Sequence, residues 1–203
     1  GGFLQQADGT AVMAFYAATM MSMACELALT NPACEDMASK FFEHFIAIAD
    51  SMNTLGGTGL WDEKDGFYYD QLQIDGKHIP LRVRSMVGLV PLFAVEILEQ
   101  DNIDQLPGFK KRMQWFFENR KDLAKHIAYL DTARAGTGTR RLLAIPSRER
   151  LERVLRYVLD ENEFLSPYGI RSLSRVHKDH PYVFHADNEE YRVAYDPADS
   201  STG

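Results

Sequence analysis

Between Thr10 and Leu29 the chain is apolar almost all the way round a helix, and this segment constrains the fold more than any other. Met13, Ala17, Met20, Ala24 and Leu27 form one stripe at alternating spacings of four and three. Ala14, Ala18, Met21, Cys25 and Ala28 form a second beside it. Asp8-Gly9-Thr10 supplies capping chemistry at the start, and Thr30-Asn31-Pro32 stops the helix. A helix apolar on most of its surface is expected to be buried on most of its surface. The next segment, Cys34 to Asn53, is amphipathic: Met37, Phe41, Phe45, Ile48 and Met52 make a stripe, while Glu35, Lys40, Glu43 and Asp50 face water. An inner helix followed by an outer one predicts two layers. The pattern recurs. Ser85–Gln100 is again mostly apolar, with Pro91 as a kink or late start, and 107–125 is amphipathic through Phe109, Met113, Phe116 and Phe117. A fifth helix is predicted at Arg148–Asp160, with Leu151, Val154, Leu155 and Val158 inward. Alternating inner and outer helices predict an all-α fold, a toroid of helical hairpins. Asp65-Gly66 between aromatic flanks adds one short β-hairpin, with strand content confined to residues 59–80. The last forty residues, rich in aromatics and proline, read as ordered loop, and no boundary divides residues 1–203 into more than one domain.

Composition narrows the function. The 203 residues carry a net charge of −7 (22 basic, 29 acidic) without a basic stripe. Neutralising phosphates needs clustered Lys and Arg, so nucleic acid is not an expected partner. The longest weakly charged stretch still holds Asp8, and no run of about 18 apolar residues occurs, so no membrane span is expected. The opening residues lack the basic region of a signal peptide, and Cys25 and Cys34 make no disulfide framework. A cytoplasmic location is the expectation.

Several segments carry more chemistry than loops need. Gln5, Gln6 and Asp8 precede the most apolar helix, where its N-terminal dipole favours a carboxylate; Asp8 reads equally as a plain N-cap. Trp61, Asp62, Glu63, Phe67, Tyr68, Tyr69 and Asp70 crowd aromatics and carboxylates together, as sugar sites do, although a packed hairpin with a solvated turn gives the same string. Arg82, Arg84 and Arg171 could hold hydroxyls or simply pair at the surface, and Tyr168 stands in the Ser166–Ser172 loop beside Arg171. His177, His180, His185 and Asp187 match no tight zinc spacing, and no metal or other cofactor is expected. Gly136-Thr137-Gly138-Thr139 lacks the ending of a phosphate loop, no Gly-x-Ser-x-Gly elbow occurs, and Cys25 lies on an apolar face as a structural thiol would.

Four stretches together, QQADGTAVMAFY (5–16), GLWDEKDGFYYDQL (59–72), RVRSMVGLVPLFAV (82–95) and ENEFLSPYGIRSLSRVHKDHPYVF (161–184), resemble glycoside hydrolase family 63 and the mannosylglycerate-hydrolase type of glucosidase-like proteins. The resemblance implies an (α/α)6 barrel and hydrolysis of glycosidic bonds with inversion. Inversion uses one carboxylic acid and one carboxylate roughly 6.5–9.5 Å apart. It also implies a carbohydrate substrate of glucoside or mannoside type, bound by Gln6, Trp61, Asp62, Tyr68, Arg84, Tyr168 and Arg171. Val12 departs from the tryptophan of the family's QADGTAWMA stretch. The family's acid is expected upstream of residue 1 and its base downstream of residue 203, so the chain is read as an internal portion of the barrel, inactive alone. Asp8 is the catalytic candidate within the chain. A non-catalytic helical scaffold that binds protein or carbohydrate is the rival reading; a terpenoid-cyclase toroid would want Asp-rich motifs that the sequence lacks. The oligomeric state is not legible.

Overall fold

The computed structural model describes residues 2–53, 59–121, 130–132, 140–186 and 189–197. Its first half opens with β1 (Phe3–Gln5), α1 (Ala7–Ala28) and α2 (Cys34–Asn53). The short strands β2 (Trp61–Asp62) and β3 (Phe67–Tyr68) follow, then β4 (Asp70–Ile74) and β5 (Lys77–Leu81). A 3₁₀ segment, Met86–Phe93, leads into β6 (Val95–Glu99), α3 (Gln100–Asp104) and α4 (Pro107–Asn119). The remainder comprises β7 (Leu130–Thr132), β8 (Arg140–Ala144), α5 (Arg148–Val158), β9 (Leu165–Ser166) and β10 (Gly169–Ile170). A 3₁₀ turn at Arg175–Lys178 precedes β11 (Tyr182–Ala186) and β12 (Glu189–Val193). Among the described residues the strands form five small antiparallel sheets, ordered β1-β4-β5, β2-β3, β6-β8-β7, β9-β10 and β11-β12. The fold is therefore mixed, 49% helix and 25% strand, and the all-α toroid expected from the sequence is overturned.

The helical pair α1–α2 comes closest to expectation and still differs in a telling way. α1 buries Ala7, Ala11, Ala14, Ala17, Ala18, Met21, Ala24 and Ala28, residues that include members of both predicted stripes, and packs on the aromatic face of α2. Small residues at helical spacing let the axes approach, and Phe42, Phe45, Ile46, Ala49 and Met52 fill the seam from the other side. Phe42 in turn takes Phe109, Phe116 and Phe117 edge-on, ring centroids 5.7–6.0 Å apart, which fixes α4 on α2. The other side of α1 stays open. Val12, Met13, Phe15, Tyr16, Met23 and Leu27 are each half exposed or more, so the helix is buried along one face only. By length and composition α1 could cross a bilayer; its alanine face packs within the protein.

The largest correction falls on 85–100. A helix was expected there, yet Pro91, with no N–H to donate, sits inside a 3₁₀ turn, and Val95-Glu96-Ile97-Leu98-Glu99 leaves it as a strand paired with β8. Branched residues at Val95 and Ile97 alternating with Glu96 are strand chemistry; the period of two was masked by the apolar run before it. Gly88 lies where this turn crosses β3: a Cβ there would collide with the Phe67 ring and the Tyr68 carbonyl. The C-terminal forty residues, read as loop, hold two further hairpins. The helix predicted at 107–125 is observed as Pro107–Asn119, and its final residues lie outside those described, as do Gly56 to Thr58, Gly136 to Thr139 and Asp187. The helix predicted at Arg148–Asp160 ends at Val158, its Ser147 cap accepting the Arg150 N–H at 3.3 Å.

Candidate functional site

Two hairpins and the start of α1 build a groove. Asp75 and Gly76 both take positive φ (49° and 74°), the pairing that a tight two-residue turn demands, and so set the register of β4 on β5. In that register Gln5, Gln71 and Pro80 stand in one row, with Phe3, Gln73 and His78 in the next row on the same face. This sheet face supplies walls of two clefts. The larger, about 530 Å3, is lined by Phe3, Gln5, Gln6, Gly9, Thr10 and Met13 among others. The smaller, about 380 Å3, takes Gly59, Trp61, Asp62, Glu63, Tyr69, Gln71, His78 and Pro80. Leu60 borders both clefts.

The carboxylates along the groove are held in different electrostatic states. Burial would raise the Asp62 carboxyl, but hydrogen bonds from the Asp65 N–H (2.9 Å) and from two Arg82 nitrogens (2.9 and 3.0 Å) bring it below its ordinary range. Glu63 is also lowered, first by the Trp61 indole N–H at 2.7 Å and then by Arg153 at 2.6 Å. Asp70 goes the other way: its burial, with the nearby Asp8 charge adding, lifts it, although it accepts the Ala7 N–H at 2.7 Å. Asp70 thus caps α1 from a neighbouring strand. Asp8, the second residue of α1, accepts the Gly9 N–H at 2.6 Å.

A second polar cluster lies around Arg84. Its guanidinium stacks on Tyr157 at 4.3 Å and pairs with Glu163, which also accepts from the Ser174 hydroxyl. The Arg84 backbone N–H donates to His177 Nε2 at 2.9 Å, and the other His177 nitrogen contacts the His180 carbonyl at 3.1 Å. Burial is the chief cause of a lowered His177 pKa. Arg171 donates to the carbonyls of Glu161 (3.0 Å), Glu163 (3.3 Å) and Leu165, and to the Tyr195 hydroxyl at 3.2 Å.

Of the residues singled out in the sequence, Gln6, Trp61 and Asp62 line the groove and Asp8 adjoins it. Trp61 is only 8% exposed, with Arg150 and Arg153 stacked over its ring at 4.8 and 5.3 Å, so its ring faces are taken. Tyr68 is wholly buried and donates to Asn53 Oδ1 at 2.9 Å. Arg84 and Arg171 line neither cleft; they tie the 161–174 segment together. Tyr168 projects from the β9–β10 turn, 99% exposed. His177 is internal, and His185 is exposed on β11. Sequence reasoning missed Gln71 and His78. The polar alternation of Gln71 and Gln73 before a second Asp-Gly, at 75–76, was the available signal.

No family model and no solved structure matches the chain. Over its whole length it is similar to an uncharacterized protein of Saccharomyces cerevisiae, YMR196W, 46% identical over 217 aligned positions. It spans only 20% of that yeast protein's length. An uncharacterized protein of Borreliella burgdorferi is 28% identical over 82 residues, 40% of this chain and 16% of that protein.

Proposed function

We propose that the chain forms part of the substrate-binding wall of an inverting, α-glucosidase-like glycoside hydrolase. The observation that carries this reading is the pair of clefts on either side of Leu60, in which amides, an imidazole and carboxylates stand beside aromatic and aliphatic surface. Neutral, hydroxyl-rich ligands call for that mixture, a concave site with a few well-placed polar groups. Asp8 and Asp70 add a carboxylate pair at the groove's edge, one of them disposed to hold its proton longer than usual, as a general acid must. The family resemblance places the principal acid and base outside residues 1–203, which leaves binding as the work of this portion. Two free thiols fit a cytoplasmic setting. The half-exposed apolar face of α1 favours a second reading, a non-catalytic module whose partner covers that face.

The test compares the 203-residue chain with a polypeptide extended at both ends to the length of the yeast relative. Both are assayed on α-glucosides, α-mannosides and glycosylglycerates, with the anomer of the released sugar followed by NMR. Turnover with inversion by the extended protein and none by the short chain is the expected result. Turnover by the short chain would move the chemistry to Asp8 and Asp70. Silence from the extended protein on every substrate would favour the non-catalytic module.

A further inference from the structure

We infer that Gln71 and His78 form a subsite for one ring of a neutral, polyhydroxylated ligand, and that this pair, rather than Trp61 or Tyr68, does the recognising in the smaller cleft; the inference rests on the carbohydrate reading above. Gln71 is 8% exposed, yet it lines the cleft, and its amide oxygen is 2.9 Å from His78 Nδ1. No second partner for the amide occurs among the described residues. The free side of the amide opens on the cleft, where water or a ligand hydroxyl can complete its bonding. His78, bonded through Nδ1, has Nε2 left over.

The remaining valences match a diol. With the imidazole N–H on Nδ1 and the amide oxygen accepting, the pair presents the Gln71 NH2 as donor and His78 Nε2 as acceptor. Turning the amide over and moving the imidazole proton gives the converse, still one donor and one acceptor. Each sugar hydroxyl both donates and accepts, so either arrangement suits adjacent hydroxyls. Charge decides against an anionic ligand. Asp62 and Glu63 stand on the cleft wall, and the cations near them are committed: Arg82 to Asp62, Arg153 to Glu63. No uncommitted cation is among the residues that line the cleft. Leu60 and Pro80 supply aliphatic surface for the CH edge of a ring, and about 380 Å3 lies in the range of small-molecule sites, about 300–1,000 Å3. The larger cleft, also bordered by Leu60, has room for a second unit beside Gln5 and Gln6.

The experiment reads Trp61 fluorescence in a Trp115→Phe background, Trp115 being the other tryptophan and exposed on α4. The 203-residue chain is titrated with methyl α-glucoside, methyl α-mannoside, maltose and glucose 6-phosphate at low and high salt. Saturation by the neutral sugars at millimolar concentration, independent of salt, is expected, with the phosphate no tighter. Gln71→Leu should weaken binding at least tenfold. Gln71→Glu keeps the size and the bond to His78 but removes the donor, and should weaken it comparably even if Gln71→Leu lowers the melting temperature. Unchanged binding in both variants, tighter binding of the phosphate, or no saturation by any neutral sugar would overturn the subsite. Hydrolysis by the extended protein with an unchanged KM in Gln71→Leu would sink the subsite and leave the hydrolase reading standing. Gln71-dependent sugar binding without hydrolysis by the extended protein would do the reverse.

Discussion

The groove and the Arg84 cluster are built from the same residue types, and they differ in how many of their bonds the chain itself supplies, although even in the cluster Arg84 Nε is buried without a hydrogen-bond partner among the described residues. Around Arg84, Glu163 accepts from both a guanidinium and a hydroxyl, His177 has both ring nitrogens engaged, and Arg171 spends its donors on three carbonyls and a phenol. In the groove, Gln71 has one bond, Asp70 carries an unfavourable burial, and Leu60, Gln5 and Gln6 face open volume. Closed polar networks specify a structure; open ones in a concavity are where a ligand completes the bonding. Two arginines that looked like sugar donors thus belong to the closed network, and a glutamine passed over in the sequence belongs to the open one.

The sharpest way to break this contrast is Glu163→Ala. It leaves the Arg84 guanidinium, 18% exposed, without its ion partner and removes the acceptor of Ser174. Stranding one member of a largely buried pair costs about 3 kcal/mol or more. Urea unfolding should show that loss, while sugar binding by material that remains folded stays unchanged. A loss under about 1 kcal/mol would mean the cluster is no tighter than a surface pair. Next in size is Gly88→Ala. Its methyl would press on Phe67 and the Tyr68 carbonyl, in the wall between the two regions, where Phe67 stacks on Phe164 at 6.0 Å. Overpacking of this kind costs about 1–3 kcal/mol, and because β3 carries the groove hairpin, sugar binding should weaken with stability.

How much of this was legible follows from the range of the forces involved. The α1–α2 pair was readable because its periodicities of three and four are local, and Ala14, Ala18, Met21 and Ala28 of one stripe are buried together with Ala17 and Ala24 of the other. That Met13 and Leu27 stay open was not readable, since the covering layer is a tertiary matter. On α2 the buried set is Phe42, Phe45 and Ile46, while Met37 of the predicted stripe is exposed, a rotation set by α4 and its Phe109. Residues 95–99 were lost to a long apolar run whose strand partner, β8, lies more than forty residues away. At the site, Gln6, Trp61 and Asp62 were found from composition. Gln71 and His78 were not, because the turn that sets them on one face acts through register rather than through residue type.

Third is the pH response of the closed cluster. His177 Nε2 accepts an N–H, so its protonation would set donor against donor, and burial holds its pKa below the ordinary 6.5. The facing charges are Arg84, which opposes protonation, and Glu163, which favours it. A depressed folded-state pKa means the unfolded chain binds the extra proton first, so this contribution is full above about pH 6.5 and falls as the medium is acidified below it. The slope is at most about 1.4 kcal/mol per pH unit. Urea midpoints from pH 7.5 to 5 should decline, and His177→Gln should flatten that decline. An equal slope in the variant would detach the acid sensitivity from this contact.

The smallest effect concerns the groove, and its sign is the informative part. Asp70 has its pKa raised by burial, with the Asp8 charge adding, against the single Ala7 N–H that favours the charge. A raised carboxyl contributes stability only where it is protonated, below its unfolded-state pKa, and that contribution is gone once pH rises through the folded-state value. Wherever the folded protein carries Asp70 ionised, it does so at a net cost. Asp70→Asn keeps an oxygen to accept the Ala7 N–H and removes the repulsion from Asp8. The variant should be as stable as the native chain at pH 7 or more stable by a few tenths of a kcal/mol, about the scale of a helix-terminus charge effect. The gain should shrink towards pH 4, as the native carboxyl takes up its proton. In the closed cluster the corresponding change, Glu163→Gln, should lower stability at pH 7. Opposite signs for these two carboxylate-to-amide changes, read from urea midpoints in one buffer, would sharpen the division between the regions. A clear loss on Asp70→Asn would instead make Asp70 a plain cap for α1 whose charge the helix dipole rewards, and would remove it from the carboxylates with chemistry to perform.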